Sequence, residues 1–241
     1  MKPENLLEQH GFFDTLEPAI SLANAVFVGK KYVVRIAQHE HTDHAREAAI
    51  ALHALTLGIR TAKPLAWAKQ YSIFERLNGS SAATYAPNAV WLELLLDLKR
   101  FHASPFETSK PESIYWDGAV HLLESIFVSH LSRTELHLAK QILQPHSATN
   151  LVFAHGDAWQ SNVITNNKQY VGLIDWGNAA WLPLEREIAW LEDDALNLAL
   201  EQFDLNMPQL WARRLEILLL AGMSGRGTIE AVQRVLEQVV I

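Results

Sequence analysis

The residues with the clearest chemical content are His155-Gly156-Asp157-Ala158-Trp159-Gln160-Ser161-Asn162, with Ile174-Asp175-Trp176 placing a further carboxylate thirteen positions beyond Asn162. Together they offer a carboxylate, an amide and a second carboxylate, a set suited to phosphoryl transfer. Moving a γ-phosphoryl group requires magnesium to neutralise phosphate oxygens, and magnesium takes one or two protein oxygens beside substrate phosphate and water. Asn162 and Asp175 are the candidate metal ligands. Asp157 is the candidate catalytic residue, left to orient the attacking hydroxyl and accept its proton.

These side chains must be brought together by the chain between them. Val163 to Tyr170 and Val171 to Ile174 read as two short strands, with Thr165-Asn166-Asn167-Lys168 as the turn of a hairpin. A hairpin folds its ends together, so Asn162 and Asp175 become neighbours, while Asp157 reaches the same cleft from an irregular loop. Each residue also has a plainer reading. Asp157 would satisfy backbone N–H groups in a turn, Asn162 would sit at a strand edge, and Asp175 would cap a helix. His155 is read as a structural residue beneath the loop, not as an acid or base.

The remaining sequence supplies a frame. Residues 5 to 23 read as a short helix with a connection, and 24 to 36 alternate as two strands around Gly29-Lys30-Lys31. Asp43 to Leu57 has Ala45, Ala48, Ala49, Leu52 and Leu55 at helical spacing, with Gly58 as a natural stop. Leu65 to Trp67 and Tyr71 to Leu77 follow as strands, which makes a small α+β lobe. Beyond Asn78-Gly79 the pattern turns helical: Val90 to His102, one or two helices within Ser113 to Gln144, Pro208 to Gly222 and Thr228 to Val240, the last two joined through Gly222 to Gly227. Only the Val163 to Ile174 hairpin is expected to interrupt the helices.

Bulk properties restrict the function classes. The 241 residues, 49% of them hydrophobic, suffice for a substantial core in one or two domains, and there is no cysteine to form a disulfide or a thiolate metal site. Lys and Arg number 20 against 27 Asp and Glu, a net charge of -7 that argues against a broad nucleic-acid surface and suits a cationic or neutral polar ligand. The amino terminus has no secretory pattern, and no apolar run approaches the roughly 18 residues of a membrane span, so a cytoplasmic location is expected.

With those residues in view, the chain resembles the aminoglycoside phosphotransferase and choline kinase-like small-molecule kinases. Their signature is a His-Gly-Asp, four residues, Asn segment followed by Ile-Asp-Trp. Asn24 to Val28 with Tyr32 to Ile36 is similar to the first hairpin of that family's small lobe. Glu47 resembles the acid on its first helix, and Ser72 to Leu77 the strand leading into the adenine-holding hinge. Leu184-Glu185-Arg186-Glu187-Ile188-Ala189-Trp190 is similar to the stretch where the family usually carries Asp-Leu-Ala, with Glu187 in place of the Asp.

The resemblance implies a bilobal protein-kinase-like α+β fold, with residues 1–77 as a β-rich nucleotide-binding N-lobe and 78–241 as a mainly helical, acceptor-binding C-lobe. It implies an ATP- or GTP-dependent transferase that uses Mg2+ and a small-molecule hydroxyl acceptor, aminoglycoside-like, choline-like or another metabolite. Arg35 would anchor phosphate with Glu47 as its ion-pair partner. Phe74, Glu75, Arg76 and Leu77 would form the hinge, which presents backbone N–H and C=O groups to adenine.

Besides Glu187, two features depart from the family pattern. Arg35, a planar fork, stands where Lys is frequent, and Ile20 to Val28 contains no glycine, so no glycine-rich phosphate loop precedes it. These departures also suit a pseudokinase, a nucleotide-binding regulatory module without turnover. His39-Glu40-His41-Thr42-Asp43-His44 is read as a solvated loop before a helix and not as a metal site. Of Trp176, Trp181 and Trp190, at least two are assigned to core packing. The acidic run Glu192-Asp193-Asp194 is assigned to a solvated helix face.

Overall fold

Period-two alternation decides which side chains of the first sheet meet the core and which meet the cleft. In the computed structural model, which describes residues 2–19, 21, 24–82, 86–107, 123, 129–143, 150–223 and 229–239, helix α1 (Pro3–Gln9) precedes strands β1 (Glu17–Ala19), β2 (Asn24–Val28) and β3 (Tyr32–Ala37). Helix α2 (His44–Thr56) follows, then β4 (Pro64–Ala68), β5 (Tyr71–Glu75), the short β6 (Ser80–Ser81) and α3 (Asn88–Ala103). Strands β1 to β5 form one antiparallel sheet in the order β1-β2-β3-β5-β4. Tyr32, Val34 and Ile36 of β3 pack with Leu6 and Leu7 of α1 and with Tyr71 and Ile73 of β5. Val33 and Arg35 therefore project from the opposite face.

The expected α2 is present, but its buried stripe is rotated from the one expected. Asp43 caps it by accepting the Arg46 N–H at 3.0 Å, and Gly58 takes a positive φ of 74° just beyond its end. The buried residues are His44, Glu47, Ala48, Ile50, Ala51 and Ala54, whereas Ala45, Ala49, Leu52 and Leu55 are only partly buried. A stripe holding an imidazole and a carboxylate can be buried only if both are hydrogen-bonded, as these two are to each other.

Contacts divide the chain into two compact units, one of Met1–Thr108 with Phe153–Ala180, the other of Ser109–Val152 with Trp181–Ile241. The first unit thus holds α3 and the predicted hairpin beside the antiparallel sheet. That hairpin is built from β8 (Val163–Asn166) and β9 (Gln169–Leu173), introduced by β7 (Leu151–Ala154), and β6 pairs with β8 at its edge. Its turn is shorter than the expected tetrad. Thr165 and Asn166 remain in the ladder, Asn166 opposite Gln169, and the turn is Asn167-Lys168, whose φ angles of 49° and 63° are the left-handed pair that matches strand twist. Strands β6, β7 and β10 (Ala180–Pro183) also correct the expectation of a single hairpin among helices. At two to four residues each, they are too short to leave an alternating pattern.

The second unit is helical: α4 (Arg133–Ile142), α5 (Leu184–Ile188), α6 (Asp193–Gln202), α7 (Met207–Met223) and α8 (Ile229–Val239). Helix α4 starts with a reciprocal capping box between Ser132 and Glu135. Its Ala139 and Ile142 join Leu215, Leu219, Val232 and Leu236 of α7 and α8 in one apolar cluster. Of the helices expected within Ser113 to Gln144, residues 113–122, 124–128 and 144 lie outside the described residues, as do Thr228, Val240 and positions 224–227 of the Gly222 to Gly227 joint. No described helix is long and apolar enough to cross a membrane.

Candidate active site

Arg35 projects from β3 into a cavity of about 360 Å³ in the first unit. Its Nη1 donates to Glu47 Oε1 and its Nη2 to Asp175 Oδ1, the latter at 3.0 Å. The three side chains differ in exposure: 12% for Arg35, 3% for Glu47 and 35% for Asp175. Burial alone would lower the Arg35 pKa, but the two carboxylates and their hydrogen bonds raise it above its ordinary value. Arg35 is thus a fixed cation with one deeply buried and one water-facing partner.

The His155 loop is organised from below. His155 is fully buried, and the Asp157 N–H donates to its Nδ1 at 3.3 Å. That bond makes Nδ1 the acceptor, so Nε2 carries the proton and donates to the Ile174 carbonyl at 3.0 Å. The ring lies edge-on to Trp176, centroids 4.6 Å apart. His155 is therefore structural, locked between the Asp157 loop and the segment leading to Asp175. Gly156 holds a φ of 80°, which lets the chain turn toward Asp157.

Asn162 is tied to both ends of the motif. Its Nδ2 donates to the Asp157 carbonyl at 2.9 Å, and its own carbonyl accepts the Ile174 N–H at 2.9 Å. With the amide nitrogen held to backbone, the side-chain oxygen is oriented as an acceptor. Asp175 sits in the left-handed region, φ 70° and ψ 66°, a conformation that costs a non-glycine residue of the order of 1 kcal/mol and is found at functional sites. The next residue fixes it: Trp176 is buried and donates Nε1–H to Thr61 Oγ1 at 2.8 Å.

Seven sequence-predicted site residues line the cavity: Arg35, Glu47, Phe74, Glu75, Arg76, Leu77 and Asp175. Asp157 and Asn162 are not in its wall, but the bonds just described connect them to the strand end that carries Asp175. Two of the hinge N–H groups already have backbone partners. The Glu75 N–H donates to Lys63 O at 2.8 Å and the Arg76 N–H to Lys31 O at 2.7 Å, so these two donors are engaged by the residues that precede β4 and β3. The Arg76 side chain in turn reaches the Gly29 carbonyl at 2.6 Å. Sequence reasoning missed the hydroxyls of Ser21, Thr61, Ser80 and Ser81 in the wall. Ser21 and Thr61 stand in connecting segments and Ser80 and Ser81 in a two-residue strand, where hydroxyls leave no signal.

Other candidates resolve differently. His39, Glu40 and His41 are exposed as expected, but His44 is fully buried on α2, which corrects its assignment to a solvated loop. Among the described residues no group of three or more His, Asp or Glu side chains could hold a metal. Asn162 and Asp175 carry hard oxygen donors, the type that magnesium prefers beside phosphate and water. Trp176 belongs to the core. In the second unit Asp193 and Asp194 are exposed, with Asp193 paired to Arg214 at 2.8 Å, and Glu187 is fully buried in α5.

The family model APH, described as the phosphotransferase enzyme family, matches residues 17–216. No curated protein matches the chain. Among solved structures, the apoenzyme of macrolide 2'-phosphotransferase MphH from Brachybacterium faecium is similar at 14% identity and a TM-score of 0.65, covering 97% of this chain and 96% of its own. A thermostable mutant of aminoglycoside phosphotransferase APH(4)-Ia, in ternary complex with AMP-PNP and hygromycin B, is similar at 17% identity and a TM-score of 0.63, covering 98% and 95%. A putative fructosamine-3-kinase from Thermobifida fusca YX-ER1 follows at 14% identity and a TM-score of 0.59, covering 98% and 96%. The α+β fold is shared with kinase-like phosphotransferases.

Proposed function

The chain belongs to the APH phosphotransferase enzyme family, and from that premise we propose that it transfers the γ-phosphoryl group of a nucleoside triphosphate to a hydroxyl of a small molecule. The observation that carries this reading is the Arg35 guanidinium, held between Glu47 and Asp175 in a cavity walled by residues 74–77. Adenine or guanine would lie against Phe74 to Leu77, and the phosphates would extend toward Arg35, whose fork is suited to phosphate oxygens. Magnesium, when bound by the oxygens of Asn162 and Asp175, would neutralise charge on those phosphates.

Asp157 would hold the acceptor hydroxyl in line with the γ-phosphorus and take up its proton. As the new O–P bond forms, the bond to the β,γ-bridging oxygen breaks and the nucleoside diphosphate leaves. The loop geometry supports this assignment, because His155 and Asn162 fix the backbone of Asp157 from both sides. The likeness to structures bound to hygromycin B, or described as macrolide or fructosamine enzymes, spans chemically unlike acceptors. The common element is a hydroxyl on a polar small molecule, and the net charge of -7 favours a cationic one.

The test is a thermal-shift panel with ATP, GTP and magnesium, followed by an acceptor library monitored for nucleotide consumption. We expect a magnesium-dependent shift and turnover with at least one acceptor. In Asp157→Ala, turnover should fall roughly 100- to 10,000-fold with nucleotide affinity retained, whereas Asp175→Ala should impair magnesium-nucleotide binding itself. Wild-type turnover in Asp157→Ala would refute the role given to that carboxylate. Nucleotide binding without turnover of any acceptor would point to the pseudokinase reading.

A further inference from the structure

Helix α2 begins on His44, a fully buried residue to which the phosphoryl-transfer scheme gives no part. Its Nδ1 lies 3.2 Å from Glu47 Oε2 and 3.2 Å from Ser72 Oγ. Ser72 is also fully buried and stands directly opposite Arg35 in the β3–β5 register. The backbone N–H of His44 donates to the Lys69 carbonyl at 3.2 Å, between β4 and β5. One residue thus ties the start of α2 to the sheet through both main chain and side chain.

The chemistry of the contact fixes its direction. An ionised carboxylate only accepts, so Nδ1 must carry the proton and donate to Glu47 Oε2. With Oε2 held by His44, Oε1 is left for Arg35 Nη1, and Arg35 Nη2 goes on to Asp175. The polar chain Ser72, His44, Glu47, Arg35, Asp175 therefore runs from one strand through the helix and back to the cavity. A histidine kept only for packing needs no such alignment, since an apolar side chain of similar size would fill the space without a polar group to satisfy.

We propose that His44 is a positioning residue: its Nδ1–H fixes the Glu47 carboxylate, which holds Arg35 at the nucleotide phosphates. The assignment rests on the functional reading above, because it needs Arg35 to meet phosphate. It separates phosphate affinity from base affinity, since neither His44 nor Glu47 belongs to the hinge.

Calorimetric titration with Mg·ATP and, separately, with adenosine tests it on the full chain. His44→Leu keeps bulk but removes the donor, and should weaken Mg·ATP about tenfold, the scale of one lost charge-assisted hydrogen bond, with adenosine affinity unchanged. His44→Asn places an amide N–H near the Nδ1 position and should restore Mg·ATP affinity to within about threefold, whereas His44→Gln places it near Nε2 and should not. The Asn and Gln pair carries the test should the Leu variant fail to fold. Equal weakening of both ligands, or equal affinities in the Asn and Gln variants, would overturn the assignment. A wild-type chain that binds no Mg·ATP removes the functional reading along with it, while normal wild-type binding and an unaffected His44→Leu remove this assignment alone.

Discussion

Arg35→Met should destabilise the protein by about 3 kcal/mol, and the structure sets that figure. Removing one partner of a buried ion pair costs about 3–5 kcal/mol, because the other charge is left without compensation. Glu47 is that charge, 3% exposed. It keeps the His44 Nδ1–H, and Asp175, 35% exposed, returns to water at little cost, so the loss falls at the low end of the range. Met retains the apolar stem, which limits any cavity term. Adding Glu47→Gln removes the orphaned carboxylate, so the double variant should be more stable than Arg35→Met by roughly 1–2 kcal/mol, giving a coupling energy well above the few tenths expected of independent sites. Urea denaturation of the four proteins at one pH measures the cycle. A loss below about 1 kcal/mol in Arg35→Met, or strict additivity in the double variant, would refute the claim that Glu47 is a buried charge held by Arg35.

Two further outcomes follow from groups outside that triad. Burial pushes the Glu216 carboxyl up from 4.5 to about 7 against the opposing effect of Arg186 and Arg213, so the folded state binds its proton more tightly than the unfolded state. The contribution to stability is therefore fully present below about pH 4.5 and lost as pH rises through about 7. Between about pH 5 and about pH 6.5 the wild type should lose roughly 2 kcal/mol relative to Glu216→Gln, and a difference in unfolding free energy that stays flat across that range would contradict it. At Gly172 an added Cβ would stand 2.6 Å from the Arg60 carbonyl oxygen, a backbone atom that also accepts the Leu173 N–H. Gly172→Ala should cost about 1–3 kcal/mol in urea denaturation, and unchanged stability would show that the Arg60 segment yields freely.

What was legible in the sequence is what local spacing controls. The first sheet's alternation, the start and stop of α2, and the hairpin between Asn162 and Asp175 each depend on a few consecutive residues. What was hidden depends on partners distant in the chain. His44 stands among exposed histidines, and only Glu47 and Ser72 distinguish it from them. Arg213 and Glu216, an ordinary surface pair by spacing, are both buried in α7. The hinge N–H groups of Glu75 and Arg76 look available until Lys63 and Lys31 supply carbonyls to them. In each case the sequence states the donor or acceptor and the tertiary structure supplies the other half.

Distant partners also explain why an arginine can stand at position 35. A lysine ammonium is a compact point charge, whereas the guanidinium presents separate donors in a fixed plane. Here Nη1 is committed to Glu47 and Nη2 to Asp175, and the two bonds are unequal. Breaking the first would strand a buried carboxylate at a cost of several kcal/mol; breaking the second frees a carboxylate one-third exposed, where an ion pair is worth about 1 kcal/mol or less. The Asp175 arm is therefore the one that would yield to a competing phosphate or cation, and the Glu47 arm would be the pivot. Because His44 contacts the far oxygen of Glu47 and Ser72 of β5, that arm is tied to the sheet. In the proposed reading, the fork would offer by rigidity what a glycine-rich loop offers by backbone donors, a cation held at the cavity wall.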